Sequence, residues 1–321
     1  MKKQVGIHVF LAVLLSACGV PAATKAPATQ IPHTLTPSPV LTFTPSQEPT
    51  LSPLILATAT QQALYEKLEQ HCASGQAMAF QFSPDGEWVE IVCSHDTLAI
   101  VHVEEGTKWD ISSDTLINPF TEYFVSISHW SSDGRYAYTS PDPHTDGYWE
   151  PFHQGVGLFR LNLETGEISE LLPLGGDDWI FYSYAISPDD NILAYIVTDR
   201  SPVTLNIRDL QTEKEQSFQF ASNYNTGGAL IWSPDGEKLV FSVTQYDTST
   251  AHYIATSIMI WHRDTSTTTE LIKDHPSQMR VVEWIDETRV ILESVMDGPT
   301  QVTTQLYEFD LTTSKLTETD P

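Results

Sequence analysis

Aromatic rings and carboxylates gather in several short stretches of this 321-residue chain. The densest runs from Pro141 to Gly157 and holds His144, Asp146, Tyr148, Trp149, Glu150, Phe152 and His153. Phe120 and Tyr123 precede it; Asp177, Asp178, Trp179 and Tyr182 follow, then Tyr224, then Tyr246, His252 and Tyr253. Rings stack on sugar faces and apolar side chains while carboxylates accept hydrogen bonds, so the chemistry on offer is recognition of a glycan, a peptide or a protein surface. The candidate contact residues are Tyr148, Trp149, Phe152, His153, Trp179, Tyr182, Tyr246 and Tyr253. The competing reading is that the same rings pack loops onto a core. Catalysis has less to stand on. A glycoside hydrolase needs two carboxylates facing each other across a sugar. Asp142, Asp146, Glu150, Asp177, Asp178 and Asp247 are available, but in a chain with 42 acidic residues nothing singles them out. There is no Gly-x-Ser-x-Gly elbow and no His-Glu-x-x-His pair, and His144 and His153 have no ligand spacing that marks a metal site. The expectation is a binding protein and not an enzyme, with no cofactor and no metal.

The thiols carry a second kind of chemistry. Met1-Lys2-Lys3 is a positive start, Val5 to Leu15 an apolar stretch too short to span a bilayer, and Leu15-Ser16-Ala17-Cys18 follows. That segment resembles a bacterial lipobox. The resemblance implies that residues 1–17 are a lipoprotein signal peptide and that Cys18 becomes the lipidated first residue of the mature chain. Two or three acyl chains, at ~0.8 kcal/mol per buried CH₂, hold a protein on a membrane. The address is then extracytoplasmic, at the cell envelope, with the lipid as the membrane contact. Cys72 and Cys93 remain as a pair in an oxidising compartment, where a disulfide persists; two separate thiols are the alternative. Formal net charge is −26, and −28 once Lys2 and Lys3 leave with the signal, which excludes a nucleic-acid partner on electrostatic grounds.

The elements that must position these groups emerge downstream. Residues 18–57 are rich in Pro, Thr, Ser and Ala, and their prolines make them an extended tether on the order of 100 Å at ~3.1 Å per residue. Residues 58–77 read as a short helix and connector: Thr58 and Gln61 have capping-box spacing, and Leu64, Leu68 and Cys72 share one face. From residue 78 to 321 the chain repeats itself. Phe82-Ser83-Pro84-Asp85-Gly86, Trp130-Ser131-Ser132-Asp133-Gly134, Ile186-Ser187-Pro188-Asp189-Asp190 and Trp232-Ser233-Pro234-Asp235-Gly236 align with a degraded Trp284-Ile285-Asp286-Glu287. Their aspartates lie 48, 56, 46 and 51 residues apart. An apolar strand follows each motif, such as Ile192–Val197, and a second ends in a turn, such as Leu158–Leu163 before Thr165-Gly166. Four short strands joined by tight turns make one twisted antiparallel sheet, and such a sheet buries both faces only by stacking copies around an axis. The expected fold is an all-β propeller of five four-stranded blades, or six if residues 54–80 supply another. The aligned Phe82, Trp130, Ile186, Trp232 and Trp284 are expected in equivalent places between blades.

The repeat resembles that of TolB-like propellers, relatives of the WD-repeat blade, over roughly residues 78 to 317. The resemblance implies the fold and not the function, because Ser-Pro-Asp-Gly is a turn. Ring closure is left open: either it relies on packing alone, or the segment before residue 78 helps. In such blades the Ser-Pro-Asp-Gly and Thr-Gly turns share one end, and the longer second-to-third-strand loops and blade connections share the other. The loops of Trp149 and Trp179 are therefore expected opposite Asp85, Asp133, Asp189 and Asp235. The leading functional expectation is a lipid-anchored scaffold for an unknown protein partner. A carbohydrate- or peptide-binding module is the alternative, and a propeller glycosidase the third.

Overall fold

The computed structural model describes residues 58–319, apart from 74, 76, 95–96, 113–115, 117–122, 144–151, 153, 175–179, 199, 248–249, 251 and 298–301. The lipobox and the tether lie outside the described residues. Helix α1 (Thr58–Glu69) precedes five four-stranded antiparallel sheets. The first blade is β1 (Ala79–Phe82), β2 (Trp88–Ser94), β3 (Thr97–His102) and β4 (Lys108–Ser112). After β5 (Tyr123–Phe124) the second takes β6 (Ile127–Trp130), β7 (Tyr136–Thr139), β9 (Leu158–Asn162) and β10 (Ile168–Leu172), while β8 (Asp142–Pro143) pairs with β5. The third is β11 (Tyr182–Ile186), β12 (Ile192–Val197), β13 (Thr204–Asp209) and β14 (Glu215–Gln219). The fourth is β15 (Thr226–Trp232), β16 (Lys238–Asp247), β17 (His252–His262) and β18 (Thr267–His275). The fifth is β19 (Gln278–Asp286), β20 (Arg289–Asp297), β21 (Val302–Asp310) and β22 (Lys315–Thr319). Each blade pairs its strands in sequence order, and in blades 3 and 4 the first strand is buried and the last exposed, so the first lies nearest the axis.

The Ser-Pro-Asp-Gly turn is a hydrogen-bonded latch. Ser83, Ser131, Ser187 and Ser233 each donate Oγ to the motif's own aspartate. The same Oγ accepts the N–H of the residue that opens or precedes the next strand, at Trp88, Tyr136, Ile192 and Lys238. The last motif position is left-handed, which suits the glycine at Gly236, with φ 71°. Asp190 replaces glycine in blade 3 at φ 57°, a conformation that aspartate tolerates. Its carboxylate accepts the N–H of Ser132 in blade 2 at 2.7 Å, so the exception ties two blades together.

The core lies between blades. Trp88, Leu98 and Ile100 pack on Ile127, Trp130 and Phe159 of blade 2. Tyr138 and Leu158 meet Tyr184 and Leu193; Ala194 and Leu205 meet Trp232 and Phe241; Val240 and Ile260 meet Met279 and Leu292. Both faces of each middle blade are covered, so its strands read as near-continuous apolar runs.

The other face of blade 1 has no preceding blade. Val89, Ile91, Ala99 and Val101 are at most 1% exposed beneath Leu68 and Cys72, from α1 and the turn after it. In blades 4 and 5 that face packs on the blade before. α1 therefore fills the place of a preceding blade, and Cys72 and Cys93 are disulfide-bonded there, with Cα atoms 5.3 Å apart. Phe82 departs from the expected pattern for the same reason. Its counterparts Trp232 and Trp284 reach a carbonyl of the previous blade, whereas Phe82 has no such blade and is 38% exposed.

Blade 5 ends differently. Where blade 4 buries Val240 and Ile260 at 0% and 1%, the register places Ile291 and Glu308, both only half-buried. Arg280–Glu293 and Arg289–Glu308 ion pairs cross this face. A polar outer face is what terminates a stack of repeats in water.

Candidate functional site

The blades of this fold present two unlike ends. At the turn end the motif aspartates are consumed by their own turns and by neighbouring blades, as where Arg263 of blade 4 donates to Asp189 of blade 3 at 2.9 Å. The opposite end is irregular and holds the longest elements. β16 and β17 run 10 and 11 residues, against 6 each for β12 and β13. At ~3.3 Å per residue the blade 4 hairpin reaches about 13 Å further. β20 and β21, at 9 residues each, extend beside it.

Tyr246 and Tyr253 face each other across the blade 4 hairpin, with ring centroids 4.9 Å apart and planes at 48°. Asn225 holds the base of this pair, donating Nδ2 to the Tyr246 carbonyl at 2.8 Å and accepting its N–H at 2.7 Å. Both tyrosines are half-buried, and Ile254 beside them is 49% exposed. Behind them Tyr224 Oη lies 2.9 Å from Ser257 Oγ and donates to Asp274 at 3.1 Å; burial pushes its phenol up. Ser277 Oγ lies 2.9 Å from His275 Nδ1 and 2.6 Å from Ser294 Oγ. Because the Ser277 N–H also reaches His275, this is a brace of the turn between blades 4 and 5.

Two expected contact residues are corrected. Phe152 is 1% exposed and Tyr182 is 3% exposed. Tyr182 begins β11, packs in the core between blades 2 and 3, and donates its hydroxyl to the Pro173 carbonyl at 3.0 Å. The end of the blade 2 insertion turns inward along the free edge of β11. Gln154 N–H bonds the Tyr182 carbonyl, Gln154 Oε1 accepts the Tyr184 N–H, and Gly155 bridges Tyr182. This carries Phe152 against β15, where a Cβ on Gly228 would sit 2.7 Å from both Phe152 Cβ and Ser183 Cβ. Phe152 is thus buried where the axial strands of blades 3 and 4 approach each other, at Ser183 and Gly228. Sequence spacing gives no sign of this, since contact with β11 and β15 is long-range. Tyr148, Trp149, His153 and Trp179 lie outside the described residues, as do Asp146, Glu150, Asp177 and Asp178. Asp247 accepts a hydrogen bond from Thr250 at 2.9 Å. Among the described residues, no group of three or more His, Cys, Asp and Glu is placed to hold a metal.

One ionisable group of interest escaped the sequence reading. Glu90 is 2% exposed in the seam between blades 1 and 2, where burial pushes its carboxyl up to about 7 despite the Ile127 N–H that it accepts. The signal was present: an acid within the apolar run Trp88–Val92.

No protein-family model and no curated protein matches the chain. Solved structures do. Hydrazine synthase of Kuenenia stuttgartiensis is similar at a TM-score of 0.52 and 14% identity, over 75% of this chain and 65% of that one. Oligogalacturonate lyase from Vibrio parahaemolyticus is similar at 0.50 and 14%, over 74% and 64%. The fold is a β-propeller of five four-stranded blades. A putative TolB from Agrobacterium tumefaciens also matches, at 0.44 and 15%, over 75% and 79%. The chain spans just under two thirds of the length of the synthase and the lyase, and identities this low speak for the fold alone. They do overturn one expectation. A synthase and a lyase share this fold, so the absence of catalytic motifs in a propeller sequence does not make the chain a non-enzyme.

Proposed function

We propose that this chain is a lipid-anchored propeller that works outside the cytoplasm as a scaffold for a protein partner, engaged at the end of the long blade 4 and blade 5 hairpins. The Tyr246–Tyr253 pair carries the reading. Phe152 is buried beside Ser183 and Gly228, whereas the hairpin end presents two half-buried rings and the exposed Ile254. Rigid aromatic pairs beside apolar groups are typical anchors of protein contacts. The lipobox at Cys18 and the proline-rich tether support the address, and the net charge of −26 favours a partner with a basic face. A glycan ligand is the second reading, because tilted tyrosines also stack on sugars.

The full chain carrying Cys18→Ser, mixed with envelope extract and separately with a glycan panel, tests both readings. Retention of one protein species, competed by unlabelled chain and lost in Tyr253→Ala, supports the scaffold. Saturable glycan binding lost in the same variant would replace it. Cys18→Ser should itself move the protein from membranes to the soluble fraction, and continued membrane association would remove the anchor.

A further inference from the structure

Glu90 occupies a place that the other blades fill with a non-acidic residue. It stands in register between Gln81 and Ile100. The same place holds Tyr138 between His129 and Arg160 in blade 2, and Ala194 between Ala185 and Ile207 in blade 3. It holds Val240 between Ile231 and Ile260 in blade 4, and Ile291 between Glu283 and Glu308 in blade 5. Blade 1 alone puts a carboxyl there, on the face that packs on blade 2 among Trp88, Ile100, Ile127 and Trp130. One carboxyl oxygen accepts the Ile127 N–H at 2.8 Å, which makes it a polar tie across the seam.

Among the described residues the groups around it are uncharged. From its own blade these are Gln81, Trp88, Ile100 and Trp109, the last donating its indole N–H to Leu163 O at 3.0 Å. From blade 2 they are Ile127, Trp130 and Ala137. Toward the turn end of the same seam lie His102, edge-on to Trp88 at 5.0 Å, and Asp85, beside Gly134 of blade 2. Among the described residues no cation offsets its burial. An ionised carboxylate in such a place is disfavoured unless the seam admits water.

We propose that Glu90 is a proton-operated latch on the seam between blades 1 and 2. Protonated, it lets the seam close as an apolar contact with one hydrogen bond. Ionised, it shifts the balance toward a locally opened seam in which the carboxylate is hydrated and blade 1 parts from blade 2. The disulfide and the α1 packing lie on the opposite face of blade 1, so blade 1 would move with its helix.

The sign follows from linkage. The carboxyl binds its proton more tightly in the closed seam than in water, so closure is most stable below the ordinary glutamate value and weakens as pH rises toward about 7. Hydrogen exchange of the Ile127 amide in the full chain, with Glu90→Gln as reference at each pH, reads this directly. Glutamine keeps the acceptor and has no proton to lose. Between pH 5.5 and 8 the opening of the parent relative to Glu90→Gln should rise roughly 30-fold, with the Ile127 amide opening more readily than the most protected amides of β19 throughout. Glu90→Val, carrying the blade 4 residue, should melt at a pH-independent offset from Glu90→Gln over the same range. A parent-to-variant ratio that does not change with pH would overturn the latch. An Ile127 amide that opens no more readily than the most protected amides of β19 at pH 8 would also overturn it, by showing that the seam parts only in global unfolding.

Discussion

The indole Nε1 of Trp232 donates to the backbone carbonyl of Ala185 across the seam between blades 3 and 4, 3.2 Å away. Trp284 repeats the bond one blade later, to Ile231 at 3.1 Å. The aligned aromatic of the repeat thus measures the distance to the previous blade as well as filling the seam. Trp232→Phe should cost about 1 kcal/mol for the lost hydrogen bond. Trp232→Ala should cost about 3–5 kcal/mol. Chemical denaturation of both variants checks the ratio; a Trp232→Phe variant with no loss would mean that the bond contributes nothing beyond packing.

Phe152 and Gly228 form a second such pair. Phe152→Ala should destabilise the domain by about 3–5 kcal/mol. Gly228→Ala should destabilise it by about 1–3 kcal/mol through overpacking against Phe152 and Ser183. Tyr253→Ala should cost under about 1.5 kcal/mol, since that ring is only half-buried. Thermal melts of the three separate the buried ring from the surface one.

The Cys72–Cys93 bridge closes a loop with a sequence separation of 21, and on the chain-entropy model such a loop is worth about 3 kcal/mol. Cys93→Ser should lower stability by that order and speed proteolysis within α1 ahead of the blades. Cleavage that begins instead in blades 3 or 4 would show that α1 is not what the bridge secures.

Acid should act on the turn latches. Burial alone would raise Asp189, but hydrogen bonds from Ser187, Asn191 and Arg263 outweigh it and hold its carboxyl well below the usual range. Asp133 and Asp235 are lowered in the same way against burial, Asp133 with its neighbour Arg135 and Asp235 with Ser233. Lowered carboxylates contribute stability above the ordinary value of about 4, and lose it as pH falls through their native values. Glu90 acts with the opposite sign, from about 4.5 up to about 7. Melting temperature against pH should therefore peak near about pH 4–5. Ser187→Ala, by removing a bond that lowers Asp189, should flatten the acid limb, and Glu90→Gln should flatten the neutral one.

The five blades were legible because each carries its own turn chemistry. Ser187, Asp189 and the left-handed fourth residue make a local structure that needs no distant partner. The inner placement of Trp232 follows from its repeat position. The reach of the blade 4 hairpin was not legible, because Thr244 and Thr256 are fully buried yet read as polar in sequence. Phe152 and Tyr182 looked like loop aromatics for a related reason: what buries them comes from β11 and β15, dozens of residues away. Glu90 was passed over because an acid in a strand usually faces water, and the strand period alone does not say that both faces of β2 are covered. How the ring closes was not legible; the segment before residue 78 packs α1 against the face of blade 1 that lies away from blade 2.

The central claim is that the hairpin end is the working surface. Photo-crosslinking residues placed singly at Ile254 and at Asp85, in the membrane-anchored chain in its own cells, test it most directly. A discrete crosslinked partner is expected from position 254, lost when Tyr253→Ala is added, and none from position 85. A partner captured from position 85 and not from 254 would contradict it.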